Sequence, residues 1–153
     1  MKIKCIIKVT ITIVATTLLS GCLVLPLKQM DEDRSLYWCP PLLNCASTEA
    51  STFVHKIDSF ELTMEYDQAW PIIKDSVRKL DRTNIQVEYH GYLYAKSHSS
   101  TMKFIDYFEV LYVSETKSLN VRSSSLLGIW DMGVNRSRTE SLRTMLIKSG
   151  AIK

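Results

Sequence analysis

Residues 84–95 read NIQVEYHGYLYA, and this stretch decides the class of fold. Ile85, Val87 and Tyr89 alternate with polar residues, which is the period of two expected of a half-buried β-strand. A His-Gly pair at 90–91 then offers a two-residue turn, after which the alternation resumes. The stretch therefore predicts an antiparallel β-hairpin.

A helix is predicted before this hairpin, over residues 67–80. Apolar residues recur there on one helical face, at Trp70, Ile73, Val77 and Leu80. Asp67 is the expected N-cap, which would place Pro71 in the first turn, where a missing N–H costs little.

Two more strands and a second helix are predicted after the hairpin. Residues 102–113 and 118–127 are the strands, the first of them rich in β-branched and aromatic side chains. Asn135 or Ser137 is the expected cap of the last helix, with Gly150 just beyond its end. The order α-β-β-β-β-α indicates an α+β domain, with an antiparallel sheet of about four strands and two helices packed on one face.

The start of the chain has the pattern of an export signal. The first eight residues, MKIKCIIK, carry three lysines and no acid, and residues 9–19 are apolar apart from threonine. About 20 apolar residues are needed to cross a bilayer, so this run predicts a signal peptide over residues 1–21. The following Cys22 completes the sequence LLSGC, which resembles the lipobox of bacterial lipoproteins.

The lipobox resemblance implies that Cys22 becomes the first residue and carries a diacylglyceryl group and an N-acyl chain such as palmitate. Residues 22–37 would then be a lipidated tether, and residues 38–153 a single domain facing the periplasm of the bacterial cell envelope. Leu23 follows where Asp would mark inner-membrane retention, which favours the outer membrane. The alternative is a signal peptide that merely contains a cysteine and is cut elsewhere.

Loss of residues 1–21 would change the charge of the protein. It leaves 132 residues and removes three of the 19 basic residues, so that 16 basic residues face 16 acidic ones. The sequence pI of about 8.6 thus reflects the signal peptide. A neutral mature domain argues against nucleic acid as a partner.

Cys39 and Cys45 are the cysteines that remain besides the lipidation site. A disulfide between them is expected in an exported protein, and closing so short a loop would stabilise the fold by about 2 kcal/mol. Free thiols or half of a zinc site are the alternatives. His55, His90 and His98 are scattered singly, so no metal site is predicted.

Residues 121–143, VRSSSLLGIWDMGVNRSRTESLR, resemble the family of domains of unknown function DUF1499. Four shorter motifs share the resemblance, which covers residues 38–146: NCAS (44–47), AWP (69–71), GYLYA (91–95) and FIDYFE (104–109). The chain departs from the family pattern at Leu126, where Arg is usual, and at Tyr107, where a second acid is usual. The resemblance implies no settled activity.

A ligand site is one hypothesis for the motif residues Arg122, Ser123, Asp131, Asn135, Arg136 and Arg138. Arginines beside the free N–H groups of a helix start could hold a small anionic ligand between the last strand and the last helix. The alternative is structural, with Asp131 pairing with an arginine to fix the loop and Asn135 capping the helix.

An enzyme is the less favoured class. No G-x-S-x-G elbow is present, and Asp106 and Glu109 have odd spacing on a predicted strand and would face opposite sides. No catalytic residue or cofactor is therefore assigned. We expect a non-catalytic binding or scaffolding module, with an envelope protein or a small anion as partner. The alternative is a periplasmic hydrolase or transferase that uses the region of the last strand and helix.

Overall fold

The computed structural model of the protein describes residues 35–99 and 103–153. Its elements, in chain order, are β1 (Cys45–Ser47), β2 (Phe60–Glu61), α1 (Tyr66–Arg78), β3 (Thr83–Tyr89), β4 (Tyr92–His98), β5 (Ile105–Val113), β6 (Ser118–Ser125) and α2 (Val134–Lys148). The four longer strands lie between the two helices in sequence. The α+β class and the predicted order of these elements are thus confirmed.

The predicted hairpin is formed by β3 and β4, joined through His90 and Gly91. Both turn residues have positive φ, 41° and 80°, as a two-residue type I′ turn requires. A Cβ at Gly91 would also lie 3.3 Å from the Cβ of Tyr112. Glycine therefore suits this position both by its conformation and by the space available.

All strands of the described sheet pair antiparallel, in the order β1-β6-β5-β4-β3. β2 pairs with the first residues of β6, and β1 pairs with its last residues. The prediction of about four strands omitted β1 and β2. Strands of three and two residues are too short to show an alternating pattern, and they form here because the edge of β6 offers unpaired backbone groups.

The hydrophobic core lies between the two helices and one face of the sheet. The helices contribute Trp70, Ile73 and Val77 from α1 and Leu142 and Leu146 from α2. The sheet contributes alternate residues of its central strands, namely Leu93, Ala95, Phe108, Val110, Leu119 and Val121. Because these sheet residues share one face, both helices pack on the same side, as predicted.

The predicted N-cap of α1, Asp67, was wrong by two residues. The N-cap is Glu65, whose side chain makes no capping hydrogen bond, and Asp67 lies within the first turn. A carboxylate there still interacts favourably with the helix dipole. Pro71 consequently lies inside the helix rather than in its first turn.

The start of α2 also differs from the prediction, whereas its end agrees. Gly133, with φ of 80°, is the N-cap, so Asn135 and Ser137 lie within the helix and do not cap it. At the other end, the N–H of Gly150 donates to the carbonyl of Ile147, and that of Ala151 to the carbonyl of Leu146. This is the Schellman arrangement, and it confirms Gly150 as the residue that ends the helix.

The disulfide between Cys39 and Cys45 is present, with 5.6 Å between the two Cα atoms. Cys45 lies in β1, so the bond ties the start of the domain to the edge of the sheet. Leu36 is buried as well, and its N–H donates to a carboxylate oxygen of Glu49. The first described residues are therefore part of the folded unit.

The predicted signal peptide, the lipidation site Cys22 and most of the predicted tether lie outside the described residues. Within residues 35–99 and 103–153, neither helix has the length and apolar character needed to cross a membrane.

Candidate functional site

The helix-facing side of the sheet becomes polar toward the start of α2. Ser97, Asp106 and Ser125 are paired across β4, β5 and β6 and form the row that follows the apolar core. Ser97 and Asp106 are buried. A polar row at this depth needs hydrogen-bond partners; α2 supplies them to Asp106 and Ser125, whereas Ser97 bonds to the hydroxyl of Thr83 in β3.

Asn135 of α2 is fully buried and contacts both the sheet and the preceding loop. Its Nδ2 lies 2.9 Å from the carbonyl oxygen of Asn44, 2.9 Å from Oγ of Ser125 and 2.7 Å from Oδ2 of Asp131. Its Oδ1 accepts a hydrogen bond of 2.6 Å from the hydroxyl of Ser123. One amide thus joins β6, α2 and the segment before β1.

Arg138, one turn further along α2, forms a buried ion pair with the sheet. Its Nη2 donates to Oδ2 of Asp106 at 2.7 Å, and both side chains are more than nine-tenths buried. Its Nη1 donates to Oγ of Ser123 and to Oδ1 of Asn135, each at 2.9 Å. We call Asp106, Ser123, Ser125, Asp131, Asn135 and Arg138 the Asn135 network.

Asp131 occupies the anion position that the sequence suggested at the start of α2. Its carboxylate accepts hydrogen bonds from the backbone N–H of Gly133 at 2.9 Å and of Asn135 at 2.7 Å. These are N–H groups that a bound anion would otherwise use. The chain's own carboxylate therefore stabilises the helix start, which favours the structural interpretation of Asp131.

The six residues of the ligand hypothesis do not form one site. Ser123, Asp131, Asn135 and Arg138 belong to the Asn135 network. Arg136 lies outside it and donates from Nη2 to the carbonyl oxygens of Val54, at 3.1 Å, and of Lys56, at 2.9 Å. Arg122 lies on the other face of the sheet, as the alternation along a strand predicts.

Arg122 forms its own buried cluster on that other face. Its Nη1 donates to Oε2 of Glu109 at 2.7 Å, and the hydroxyl of Tyr92 donates to Oε1 of Glu109 at 2.9 Å. All three residues are buried, and Nε of Arg122 has no hydrogen-bond partner. Asp106 and Glu109 thus face opposite sides, as their odd spacing predicts, and each pairs with a different arginine.

Burial of this cluster changes the acidity of two tyrosines. Burial, followed by the charge of Glu109 and its hydrogen bond, holds the pKa of Tyr92 far above its usual range. Burial also raises the pKa of Tyr94 to about 12, with smaller contributions from Tyr107 and Glu109. Both phenols therefore stay neutral well into the alkaline range.

The raised pKa of Tyr94 predicts that the protein loses stability in alkali. In the unfolded chain a tyrosine ionises near pH 10, so the unfolded state releases the proton of Tyr94 before the folded state does. The free energy of unfolding is therefore expected to fall as the pH rises from about 10 to about 12, the folded value. Urea titrations across pH 9–11 would measure this decrease.

Two variants test the assignment to Tyr94. Tyr94→Phe removes the ionisable hydroxyl and should make the fall with pH shallower, whereas Tyr89→Phe changes an exposed residue and is the matched control. An equally steep fall in Tyr94→Phe and in the parent protein would contradict the prediction.

A surface cavity of about 420 Å³ lies beside the start of α2. Asp131 and Arg136 line it together with Leu43, Phe53, Val54, Lys56 and Trp130. Asp131 and Arg136 are the two residues of the ligand hypothesis that line this cavity. Across residues 35–99 and 103–153, no three His, Cys, Asp or Glu side chains are grouped so that they could hold a metal ion.

Glu109, Tyr92 and Asn44 were not predicted to take part in these clusters. The register of β5 against β6 brings Glu109 opposite Arg122. That register could not be predicted from the local sequence of either strand. Asn44 lies 91 residues from Asn135, so local sequence offers no signal for their contact.

The fold and the site define a class of small α+β domain, in which a buried polar network joins the last strand and the last helix. Residues 35–146 match the model of a family described as "Protein of unknown function (DUF1499)", and the chain belongs to this family. A search of the curated proteins finds no match to the chain.

Proposed function

We propose that the chain is a lipid-anchored protein of the bacterial envelope whose domain binds or scaffolds without catalysis. The observation that carries the proposal is Cys22 at the end of the sequence LLSGC, behind a basic and then an apolar segment. The disulfide between Cys39 and Cys45 supports it, because such bonds persist in oxidising compartments outside the cytosol. The domain would face the periplasm, with the outer membrane favoured by Leu23.

The geometry of the Asn135 network supports a non-catalytic role. A nucleophile needs a base and oxyanion donors around an accessible pocket. Ser123 instead donates to Asn135 and accepts from Arg138, and it is fully buried. Arg138 of the network is likewise paired with Asp106. These groups are engaged with one another inside the fold, which supports a structural role for the network.

The position expected for a small anionic ligand is the surface cavity. Arg136 and Lys56 line this cavity, whereas Arg122 and Arg138 are buried in ion pairs with Glu109 and Asp106. The ligand hypothesis is thereby narrowed to Arg136 and its surroundings.

Mass spectrometry of the mature N-terminus tests the anchor. We expect the purified native protein to begin at Cys22 and to carry the mass of a diacylglyceryl group and an N-acyl chain. Cys22→Ser should abolish this mass and leave the first 21 residues attached, because serine offers no thiolate for the lipid transfer. Cys5→Ser is the matched control and should leave processing unchanged. A mature chain that begins elsewhere, or an unmodified Cys22, would overturn the proposal.

A further inference from the structure

Large apolar side chains are exposed together at one end of the domain. Phe53 is 94% exposed, Ile129 75%, Trp130 64% and Met132 78%. We call Leu43, Phe53, Val54, Ile129, Trp130 and Met132 the apolar end. Single exposed apolar residues are ordinary, but a group of this kind marks an interaction surface.

Two of the three segments that form the apolar end are in direct contact. Leu43 and Trp130 form an isolated parallel bridge, and the N–H of Asp131 donates to the carbonyl of Leu43 at 3.1 Å. Phe53 and Val54 line the same cavity as Leu43 and Trp130. Leu43, Phe53, Val54 and Trp130 therefore share one surface, and Ile129 and Met132 lie next to it in the loop that carries Trp130.

Hydrogen bonds to Asn44 and Asn135 hold the loop that carries Trp130 in place. Asn44 donates from Nδ2 to the carbonyl of Gly128 at 2.6 Å, and Asp131 is joined to Asn135. Met132 has φ of 56°, a left-handed conformation that costs free energy in a residue with a side chain. The fold thus maintains a strained loop that presents apolar side chains to solvent.

The predicted tether enters the domain beside this surface. Cys39 is bonded to Cys45, and the seven-residue loop that the disulfide closes contains Leu43. The 13 residues from Cys22 to position 34 span at most about 45 Å even when fully extended. An anchor at Cys22 would therefore hold the start of the domain within about 45 Å of the bilayer, so that contact between the apolar end and the lipid is within reach.

The charges beside the apolar end fit an anionic lipid surface. Lys56 and Arg136 line the cavity that the apolar end surrounds. Its one acid, Asp131, is already bonded to two backbone N–H groups and to Asn135. Tryptophan beside cationic side chains is the combination that favours the membrane interface.

We propose that the apolar end rests on the anionic lipid bilayer, so that Trp130 lies in the headgroup region. This proposal rests on the lipid anchor at Cys22 proposed above. The domain would then lie on the membrane in one orientation, with the β3–β4 hairpin, at the opposite end of the strands, directed away from it.

Tryptophan quenching by brominated lipids tests the orientation. The mature, acylated protein is reconstituted into vesicles of phosphatidylethanolamine and phosphatidylglycerol, with or without bromine on the acyl chains. Trp38→Phe leaves two tryptophans as reporters, the buried Trp70 and the exposed Trp130. Brominated lipid should remove about half of the emission of Trp130, as expected of an indole at the interface.

A matched control moves the exposed reporter to the other end of the domain. Trp38→Phe combined with Trp130→Phe and Tyr89→Trp retains Trp70 and has its exposed indole at the hairpin; its emission should be unchanged by bromine. Equal quenching in the two variants, or none in either, would overturn the proposed orientation. The orientation would also be overturned if the emission of Trp130 shifts to the blue as the protein concentration rises and is not quenched by brominated lipid. That result would favour contact between copies.

The same samples separate this proposal from the anchor. If the mass of the N-terminus shows acylation at Cys22 and Trp130 is not quenched, the anchor stands and the orientation is wrong. If Cys22 is unmodified, the proposed function fails, and with it the proximity on which the orientation depends.

Discussion

Replacing Arg122 with Met is expected to lower the free energy of unfolding by about 3–5 kcal/mol. The substitution preserves most of the side-chain volume but leaves the carboxylate of Glu109 buried, with the hydroxyl of Tyr92 as its remaining partner in the cluster. Burying a charge without its counter-ion is among the largest single effects known in folded proteins. Urea unfolding followed by circular dichroism, with the disulfide intact, would measure the loss.

Two further variants make this prediction specific. Arg78→Met removes an arginine from the exposed surface of α1 and should change the free energy of unfolding by no more than about 0.5 kcal/mol. Adding Glu109→Leu to Arg122→Met removes the stranded charge and should recover part of the loss. A loss below about 1 kcal/mol in Arg122→Met would contradict the prediction and show that the pair contributes little to stability.

The longer elements of this fold were predictable because their patterns repeat. The alternation in residues 84–95 and the apolar face of residues 67–80 each extend over several periods, and the hairpin and the helix that they predict are present. The predicted common face of Ile85, Val87 and Tyr89 was wrong, because an irregularity between Ile85 and Val87 shifts the register and leaves Val87 and Tyr89 exposed on the face opposite to Ile85. β1 and β2 were missed because their formation depends on the free edge of β6, which is a tertiary feature. Local sequence determines a strand of seven residues far better than one of two or three.

The helix starts were predicted less well, for a different reason. Ser, Asp and Asn are the usual caps, and Asn135 and Ser137 stood near the expected start of α2. The structure uses Asp131 instead, two residues before the left-handed Gly133, since that carboxylate reaches the first N–H groups from the loop. Asn135 is thereby free to bond to the sheet, which a capping residue could not do.

The residues of the polar clusters were predictable, but their partners were not. The alternation along β6 separates Arg122 from Ser123, and the odd spacing on β5 separates Asp106 from Glu109. Which acid meets which arginine depends on the register of β5 and β6 and on how α2 crosses the sheet. These are properties of the assembled fold and have no counterpart in local sequence.

Asn135→Ala is expected to lower the free energy of unfolding by about 3 kcal/mol. The amide of Asn135 bonds to Asn44, Ser123, Ser125 and Asp131, and alanine leaves several of these polar groups buried without a partner. Asn84→Ala, at an exposed position of β3, is the matched control and should change stability by less than about 0.5 kcal/mol. Thermal and urea unfolding would measure both variants.

The same substitution is expected to loosen the loop of residues 126–133 more than the rest of the domain. Asn135 joins Asp131 to the segment before β1, and that segment holds the loop through the carbonyl of Gly128. Hydrogen exchange of the loop amides should therefore accelerate in Asn135→Ala beyond the change explained by global stability. Since this loop carries Ile129, Trp130 and Met132, quenching of Trp130 by brominated lipid should weaken as well. Unchanged exchange in the loop would mean that the Asn135 network stabilises the fold without positioning the apolar end.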